Sequence, residues 1–319
     1  MRNSDNSPAA RRVVLALVEG AEVLDFAGPL QAFHEANGLL PQPGYELLLC
    51  AAAGQLSTAQ GLCLTALKPL PEVTGQDLVL VPGYRLDKDT PPRELIGWLR
   101  RAAQTGARIC SICTGAFALG EAGLLDGRAC TTHWKRTAQL QRCFPRARVQ
   151  EDRLFVEDGR IATSAGIAAG IDMSLALIEQ DHGPQMAAAV AREMVVYLRR
   201  EAGHSQGSVY LDFRNHVHAG VHRIQDFLLS HPEQRTTLDQ LARLAGLSQR
   251  QLTRVFRRQT GISISAFRTR IRLEHAQTLI NNPALSIEDV AQQCGFLDDR
   301  QLRRLWKQTY GVSPRQSRA

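Results

Sequence analysis

Long apolar runs are scarce in this sequence. No segment has the ~18 uninterrupted apolar residues of a membrane-spanning helix, because even the apolar stretch 161–178 contains Ser164 and Asp172. The first apolar run, VVLALV, ends at Glu19 and is too short for the hydrophobic core of a signal peptide. The sequence therefore predicts a cytoplasmic protein with no membrane contact.

The sequence also lacks a pair of CxxC motifs. The seven cysteines are odd in number, and the single CxxC motif, from Cys110 to Cys113, begins inside a strand-like apolar run. No second CxxC stands at the spacing of a zinc site. We therefore expect reduced thiols, no metal site and no bound cofactor.

Excess positive charge is missing from the first two thirds of the chain. Residues 1–203 carry 21 Lys and Arg against 22 Asp and Glu, whereas residues 204–319 carry 17 against 9. All of the net charge of +7 therefore lies in the C-terminal part. This distribution is typical of a nucleic-acid-binding domain joined to a neutral domain.

The apolar pattern predicts two domains. Over 12–200, continuous apolar strand-like runs alternate with helical stretches, which indicates an α/β fold with a parallel sheet covered by helices on both faces. Gly, Ser, His and Asn enrich 201–216, the predicted linker. No strand-like run occurs in 217–318, which predicts an all-α domain. The predicted strands are 12–18, 45–51, 78–82, 108–113 and 153–156, and the predicted helices are 29–37, 92–104, 114–122, 134–143, 167–180 and 185–200.

The C-terminal domain contains one sequence unit twice. Residues 238–263 match residues 287–313, and each copy predicts a short helix, a turn with a glycine (Gly246, Gly295) and a more basic second helix. The polar side chains of each second helix recur at i, i+3, i+4 spacing, which places them on one face within reach of base edges. These side chains are Arg250, Thr253, Arg254 and Arg257 in the first copy, and Arg300, Arg303, Arg304 and Lys307 in the second.

Residues 217–318 resemble the DNA-binding domain of the AraC family. The resemblance lies in AGLSQRQLTRVFRRQTGIS, RIRLEHAQTLI and IEDVAQQCGFLDDRQLRRLWKQTYGVSP. It implies two helix-turn-helix units joined by a long helix and sequence-specific binding to double-stranded DNA. The acidic pair Asp298 and Asp299 departs from the family pattern, and we expect little base contact near that turn. The residues that match the family's base-reading positions are Arg250, Thr253, Arg254, Arg300, Arg303 and Arg304.

The stretch CSICTGAF predicts a buried strand that turns into a helix at Cys113. At such a turn, backbone N–H groups and the helix N-terminus stabilise negative charge. We therefore expect a lowered pKa and a thiolate nucleophile at Cys113. The alternative is a structural buried cysteine, since free cysteine is often buried.

Residues 12–199 resemble the DJ-1/PfpI class of glutamine-amidotransferase-like proteins, in the motifs VLDFAGPLQAF, LVLVPGY, CTGAFALGEAGLLDGRACTTHW and TSAGIAAGIDMSLALIE. The resemblance implies a flavodoxin-like parallel sheet and a nucleophile at Cys113, with Asp25 and His133 as its partners. Tyr84 stands where many active relatives have glycine, and we expect its side chain to crowd the pocket. Asp25 as a helix cap and His133 as a helix-start residue remain alternatives. The implied ligand-binding residues are Asp25, Gly83 (through its backbone N–H), Cys113, Thr114 and His133.

The combination of both domains resembles the GlxA/FtrA group of AraC-family regulators. It implies a homodimeric transcriptional regulator, not an enzyme, that binds a small nitrogen-containing metabolite and works with RNA polymerase. One alternative is a cysteine-dependent hydrolase or isonitrile-hydratase-like enzyme with a basic nucleic-acid-binding tail. Another is a regulator that senses oxidants or electrophiles through Cys113.

Overall fold

The computed structural model describes two compact units, one ending at Gln206 and the other beginning at Gly207. Apart from Phe213 and His216, the predicted linker 201–216 lies outside the described residues. Both of these residues pack on the second unit: Gln225 Nε2 donates to the Phe213 carbonyl at 2.6 Å, and the ring of His216 stacks on His222 at 4.4 Å. The helical unit therefore includes contacts upstream of residue 217. The described residues are 10–88, 90–151, 153–196, 213, 216–282 and 284–318.

The first unit is built on a six-stranded sheet with the order β2-β1-β5-β6-β10-β9. All neighbouring pairs are parallel except β10 and β9. The order reverses between β1 and β5, which creates a crevice at the carboxyl ends of the strands where α/β proteins bind ligands. The strands are β1 (Arg11–Leu17), β2 (Tyr45–Ala51), β3 (Leu56–Ser57), β4 (Cys63–Leu64), β5 (Leu78–Val81), β6 (Arg108–Ile112), β7 (Ala129–Cys130), β8 (Arg148–Val149), β9 (Phe155–Asp158) and β10 (Ile161–Ser164).

Helices cover both faces of this sheet, as predicted. Alternate residues of β1 point to opposite faces: Val13 and Leu15 join a core with α1, α5 and α6, whereas Val14 and Ala16 join a core with α2, α3 and α4. The helices are α1 (Val23–Leu39), α2 (Arg93–Gln104), α3 (Gly115–Glu121), α4 (Thr137–Cys143), α5 (Ile167–His182) and α6 (Pro184–Glu193), with a 3₁₀ turn at Trp134–Arg136.

Several elements of the first unit differ from the sequence prediction. The two-residue strands β3, β4, β7 and β8 were not predicted, and the helix predicted at 185–200 ends at Glu193, with 197–200 outside the described residues. The strand β10 was not predicted, because its four residues pass almost directly into α5 and the apolar sequence around them continues without a break. The helix α1 begins at Val23, six residues earlier than predicted, and contains Pro29. Proline removes one helical hydrogen bond and therefore signals a helix start, but burial of this helix outweighs that loss.

The second unit contains two helix-turn-helix units. They are formed by α8 with α9 and by α11 with α12, and the turns contain Gly246 and Gly295, whose φ angles of 70° and 76° are in the left-handed region. No strand is present among the residues that the structure describes in this unit. The helices are α7 (Ala219–Ser230), α8 (Leu238–Ala245), α9 (Gln249–Thr260), α10 (Ile264–Ile280), α11 (Ile287–Gln293) and α12 (Asp299–Tyr310).

The helix α10 belongs to both hydrophobic cores of the second unit. Phe267 in its first half packs in one core with Phe256 of α9. Ala276 and Ile280 in its second half pack in the other core with Trp306 of α12. One continuous helix therefore connects the two helix-turn-helix units, as the resemblance implied.

A glycine substitution tests the close packing of α3 on the sheet. A Cβ at Gly115 would overlap the carbonyl oxygen of Val81, so we expect Gly115→Ala to lower the free energy of unfolding of the first unit by about 1–3 kcal/mol. Gly38 in α1 has no atom within 4 Å of such a Cβ, and Gly38→Ala should be neutral or stabilise by up to about 1 kcal/mol. Urea unfolding of both variants measures the difference, and equal stabilities would contradict the packing.

Candidate functional site

Cys113 occupies a constrained turn between β6 and α3. Its φ is +54°, a left-handed conformation that non-glycine residues rarely adopt. Hydrogen bonds from both sides hold the backbone in this state: Cys113 N–H donates to the Ser164 carbonyl at 3.0 Å, and Thr132 Oγ1 donates to the Cys113 carbonyl at 2.7 Å. The predicted strand-to-helix elbow is therefore present.

Asp25 connects the loops at the carboxyl ends of the central strands. Its Oδ2 accepts the N–H of Gly83 at 3.1 Å, its Oδ1 accepts the N–H of Ile167 at 2.9 Å, and the Cys113 thiol also hydrogen-bonds to it. Asp25 itself has 0% exposed surface. Since its oxygens bond to other loops and not to the first turn of α1, the helix-cap alternative is wrong.

The prediction of a lowered pKa for Cys113 is wrong. Burial raises the pKa of this thiol to about 12, and the negative charges of Asp25 and Glu22 act in the same direction. The N–H of Thr114 opposes these effects but does not outweigh them. Burial also raises the pKa of Asp25, to about 6, although the two backbone N–H groups stabilise its ionised form. Cys113 is therefore a neutral thiol at pH 7.

His133 lies near the thiol, and Gly166 adjoins both residues. A Cβ at Gly166 would be 3.3 Å from Cys113 Sγ and 3.6 Å from His133 Cδ2. His133 Nδ1 accepts the N–H of Lys135 at 3.4 Å as the cap of the 3₁₀ turn, and desolvation lowers its pKa. The neutral ring therefore carries its proton on Nε2, which makes that atom a hydrogen-bond donor and not a base.

Two of the expected ligand-binding groups are already engaged within the protein. The Gly83 N–H is used by Asp25, and Thr114 Oγ1 both accepts the N–H of Tyr84 and donates to its carbonyl, each at 2.8 Å. The Tyr84 ring does not crowd the thiol, because it is 2% exposed and packs with Phe117 in the core beneath α2 and α3.

An apolar rim beside the site was not found from the sequence. Leu24, Trp134 and Ile167 are 56%, 60% and 49% exposed and adjoin Asp25, His133 and Gly166 in the chain. Each of the three belongs to an apolar motif that carries the DJ-1/PfpI resemblance. The pattern of apolar residues alone therefore did not distinguish these exposed positions from core positions. Large exposed apolar side chains next to a polar cleft are typical of ligand or protein contacts.

Neither a metal centre nor a membrane span is found in the part of the chain that the structure describes. No group of three or more His, Cys, Asp or Glu side chains within it is arranged to hold a metal ion. No helix within it is long and apolar enough to cross a bilayer.

The two second helices present arginines to solvent at matched positions. Arg250 and Arg254 of α9 are exposed, as are Arg300 and Arg304 of α12. Thr253 is also exposed, but its Oγ1 donates to the carbonyl of Gln249 at 2.9 Å.

The third arginine of α12 has a partner. Arg303 Nε donates to Asp299 Oδ2 at 3.0 Å, and the two side chains are 42% and 35% exposed. The other acidic residue, Asp298, is the N-cap of α12, where its Oδ1 accepts the N–H of Gln301 at 2.7 Å. Both carboxylates that departed from the family pattern therefore have partners within the helix.

The comparisons agree with this two-part architecture. The DJ-1/PfpI family matches residues 11–180, and a helix-turn-helix domain matches residues 241–319. The HTH-type transcriptional regulator GbdR of Pseudomonas aeruginosa is 30% identical over 95% of this chain and 82% of its own length. The regulator GlxA of Rhizobium meliloti is 31% identical over 98% of this chain and 97% of its own. The chain belongs to this family of transcriptional regulators.

Two further likenesses concern shorter parts of this GlxA-type regulator. An isonitrile hydratase of Pseudomonas putida is 31% identical over 58% of this chain and 78% of the enzyme. The crystal structure of an AraC family transcriptional regulator from Pseudomonas putida covers 58% of this chain and 99% of its own, at 23% identity and a TM-score of 0.51, and supports the fold. GbdR and GlxA, which match over nearly the whole chain, are both HTH-type transcriptional regulators.

Thiol labelling tests the state of Cys113. Because burial raises its pKa, we expect iodoacetamide at pH 7.5 to modify Cys113 at least about tenfold more slowly than the exposed Cys63 and Cys143. Mass spectrometry of the digested full-length chain follows the three cysteines in one sample. Faster labelling of Cys113 than of Cys63 would restore the thiolate hypothesis.

The raised pKa of Asp25 predicts a pH-dependent stability. In the folded chain this carboxyl ionises near pH 6, compared with 3.8 for an ordinary aspartate, so its contribution to the free energy of unfolding falls as the pH rises from about 4 to about 6. The loss is about 3 kcal/mol. The side chain of the Asp25→Asn variant cannot ionise. The difference in the free energy of unfolding between wild type and this variant, measured with urea, should therefore change by that amount over this pH range. Parallel pH profiles for the two proteins would show that Asp25 titrates normally.

Proposed function

We propose that this regulator reads its operator through the exposed faces of α9 and α12. The observation that carries the proposal is the repetition of two exposed arginines at matched positions in two helix-turn-helix units. Arginine pairs bidentately with guanine in the major groove, and α10 holds the two units in one domain. The proposed base-reading residues are Arg250, Thr253, Arg254, Arg300, Arg303 and Arg304.

We propose that a small nitrogen-containing effector binds at the mouth of the Cys113 site. Asp25 is fully buried, so it supports the site and does not touch the ligand. The accessible polar groups are the partly exposed thiol of Cys113 and the Nε2–H of His133, next to the apolar rim. The negative charges of Asp25 and Glu22 near the thiol suit a positively charged nitrogen there, whereas the positive charges of Lys135 and Arg136 act on His133.

Three further parts of this proposal follow from the regulator's work on DNA. We propose that the chain acts as a homodimer, because paired DNA-binding domains match repeated operator halves. We propose RNA polymerase as the protein partner, since regulation of transcription requires contact with it or its exclusion. The proposed site of action is the cytoplasm, where a bacterial chromosome lies.

The likeness to isonitrile hydratase favours a second candidate, a cysteine-dependent hydration of isonitriles. The site argues against it, because the thiol is neutral and His133 presents a donor where a base is needed. Incubation of the full chain with cyclohexyl isonitrile tests this candidate by chromatography of the N-cyclohexylformamide product. We expect no formamide above the level of Cys113→Ser. Turnover that this variant loses would establish the enzyme.

Substitution of one arginine on each helix tests the DNA contacts. Arg254→Ala and Arg304→Ala each remove one set of bidentate donors, and each should weaken binding to the operator by about 1–3 kcal/mol while relaxing specificity in its own half of the site. Arg101→Ala in α2 removes an equal charge from an exposed position of the first unit and serves as the control. Gel-shift titrations measure the ratio of the affinity for operator to the affinity for random duplex. An affinity ratio equal to that of wild type in all three variants would overturn the proposed contacts.

A further inference from the structure

The two second helices share two arginines but differ in the two residues that directly precede those arginines. Arg250 and Arg254 of α9 correspond to Arg300 and Arg304 of α12 at an offset of 50 residues. At the same offset, Gln249 and Thr253 correspond to Asp299 and Arg303. The first helix therefore has two neutral side chains where the second has an acid and a base.

In the first helix the neutral pair is occupied by bonds within the protein. Thr253 Oγ1 donates to the carbonyl of Gln249 at 2.9 Å. Gln249 Nε2 donates to Asp239 of α8 at 3.4 Å. These bonds engage the polar groups of both side chains, which leaves Arg250 and Arg254 as the charged reading groups of α9.

In the second helix the ion pair leaves one edge of each partner available. Arg303 uses Nε toward Asp299 Oδ2, so its two terminal nitrogens form the free edge that can pair bidentately with a guanine. Asp299 Oδ1 is the free acceptor. The bond also fixes the orientation of a long side chain before DNA arrives, which reduces the conformational entropy lost on binding.

Charge balance removes the objection to an acid at this position. A lone carboxylate next to the DNA backbone would repel phosphates, but Arg303 neutralises Asp299 at 3.0 Å. An aspartate in the major groove accepts a hydrogen bond from the N4 amino group of cytosine, whereas guanine and thymine present acceptors there and adenine places its N7 acceptor beside its amino group.

We propose that Asp299 and Arg303 read two adjacent base pairs as one unit, with Arg303 on a guanine and Asp299 on a neighbouring cytosine. The proposal rests on the proposed DNA contacts of α12. It gives the two operator halves different chemistry, because only the half read by α12 meets an acid–arginine pair. Asp299 is then a specificity-determining residue.

Binding-site selection from a randomised duplex library tests this pair in the full-length chain. Asn in place of Asp reads adenine, so Asp299→Asn should change the enriched base at one position of one half from cytosine to adenine. The preference for cytosine there should fall by about tenfold or more. Glu288→Gln on α11 removes another exposed carboxylate from the same helix-turn-helix unit and should leave the enriched sequence unchanged.

A second variant separates the loss of a base contact from a loss of helical structure. Arg303→Lys keeps the charge and the pairing with Asp299 but loses the planar donor fork, so it should reduce the guanine preference next to the cytosine position while circular dichroism stays unchanged. A wild-type motif that neither Asp299→Asn nor Arg303→Lys alters would overturn the reading unit and leave Asp299 and Arg303 as an intrahelical ion pair. A wild-type chain that enriches no sequence would overturn the proposed DNA contacts as well.

Discussion

The buried carboxylate of Asp25 is the interaction on which the geometry of the first unit depends. It joins the loops that follow β1, β5 and β10 through the N–H groups of Gly83 and Ile167, and it holds the thiol that follows β6. A buried charge is costly unless several donors satisfy it, so the chain retains this arrangement only with all of these loops in place. Cys113 keeps its left-handed backbone because the surrounding loops determine it.

The same arrangement explains why a fold that serves enzymes lacks an activated nucleophile here. A nucleophilic cysteine needs a positive environment, whereas Cys113 has Asp25 and Glu22 beside it and a histidine that donates. The elbow therefore supplies a rigid backbone turn with a neutral thiol. Relatives that match over nearly the whole chain are transcriptional regulators, and this chemistry agrees with their function.

Much of this architecture was accessible from the sequence. Periodicity identified the strands of the parallel sheet except β10, and repetition identified the two helix-turn-helix units, because buried faces repeat with the period of their element. Proximity of Asp25, Cys113 and His133 followed from the family resemblance. Their protonation did not, since desolvation and the hydrogen bonds of Gly83, Ile167 and Lys135 depend on tertiary structure. The engagement of Asp299 with Arg303 was within reach, because residues four apart on a helix face each other.

The shared helix α10 also constrains how this regulator can evolve. Its first half is anchored by Phe267 and Ile271 and its second half by Leu273 and Ile280, with no loop between them. One inserted residue would turn one anchor by about 100° relative to the other and displace it by about 1.5 Å. The spacing between the two helix-turn-helix units is thus set by a count of helical residues. A new spacing requires a redesigned helix, whereas the exposed faces of α9 and α12 can change by surface substitution alone.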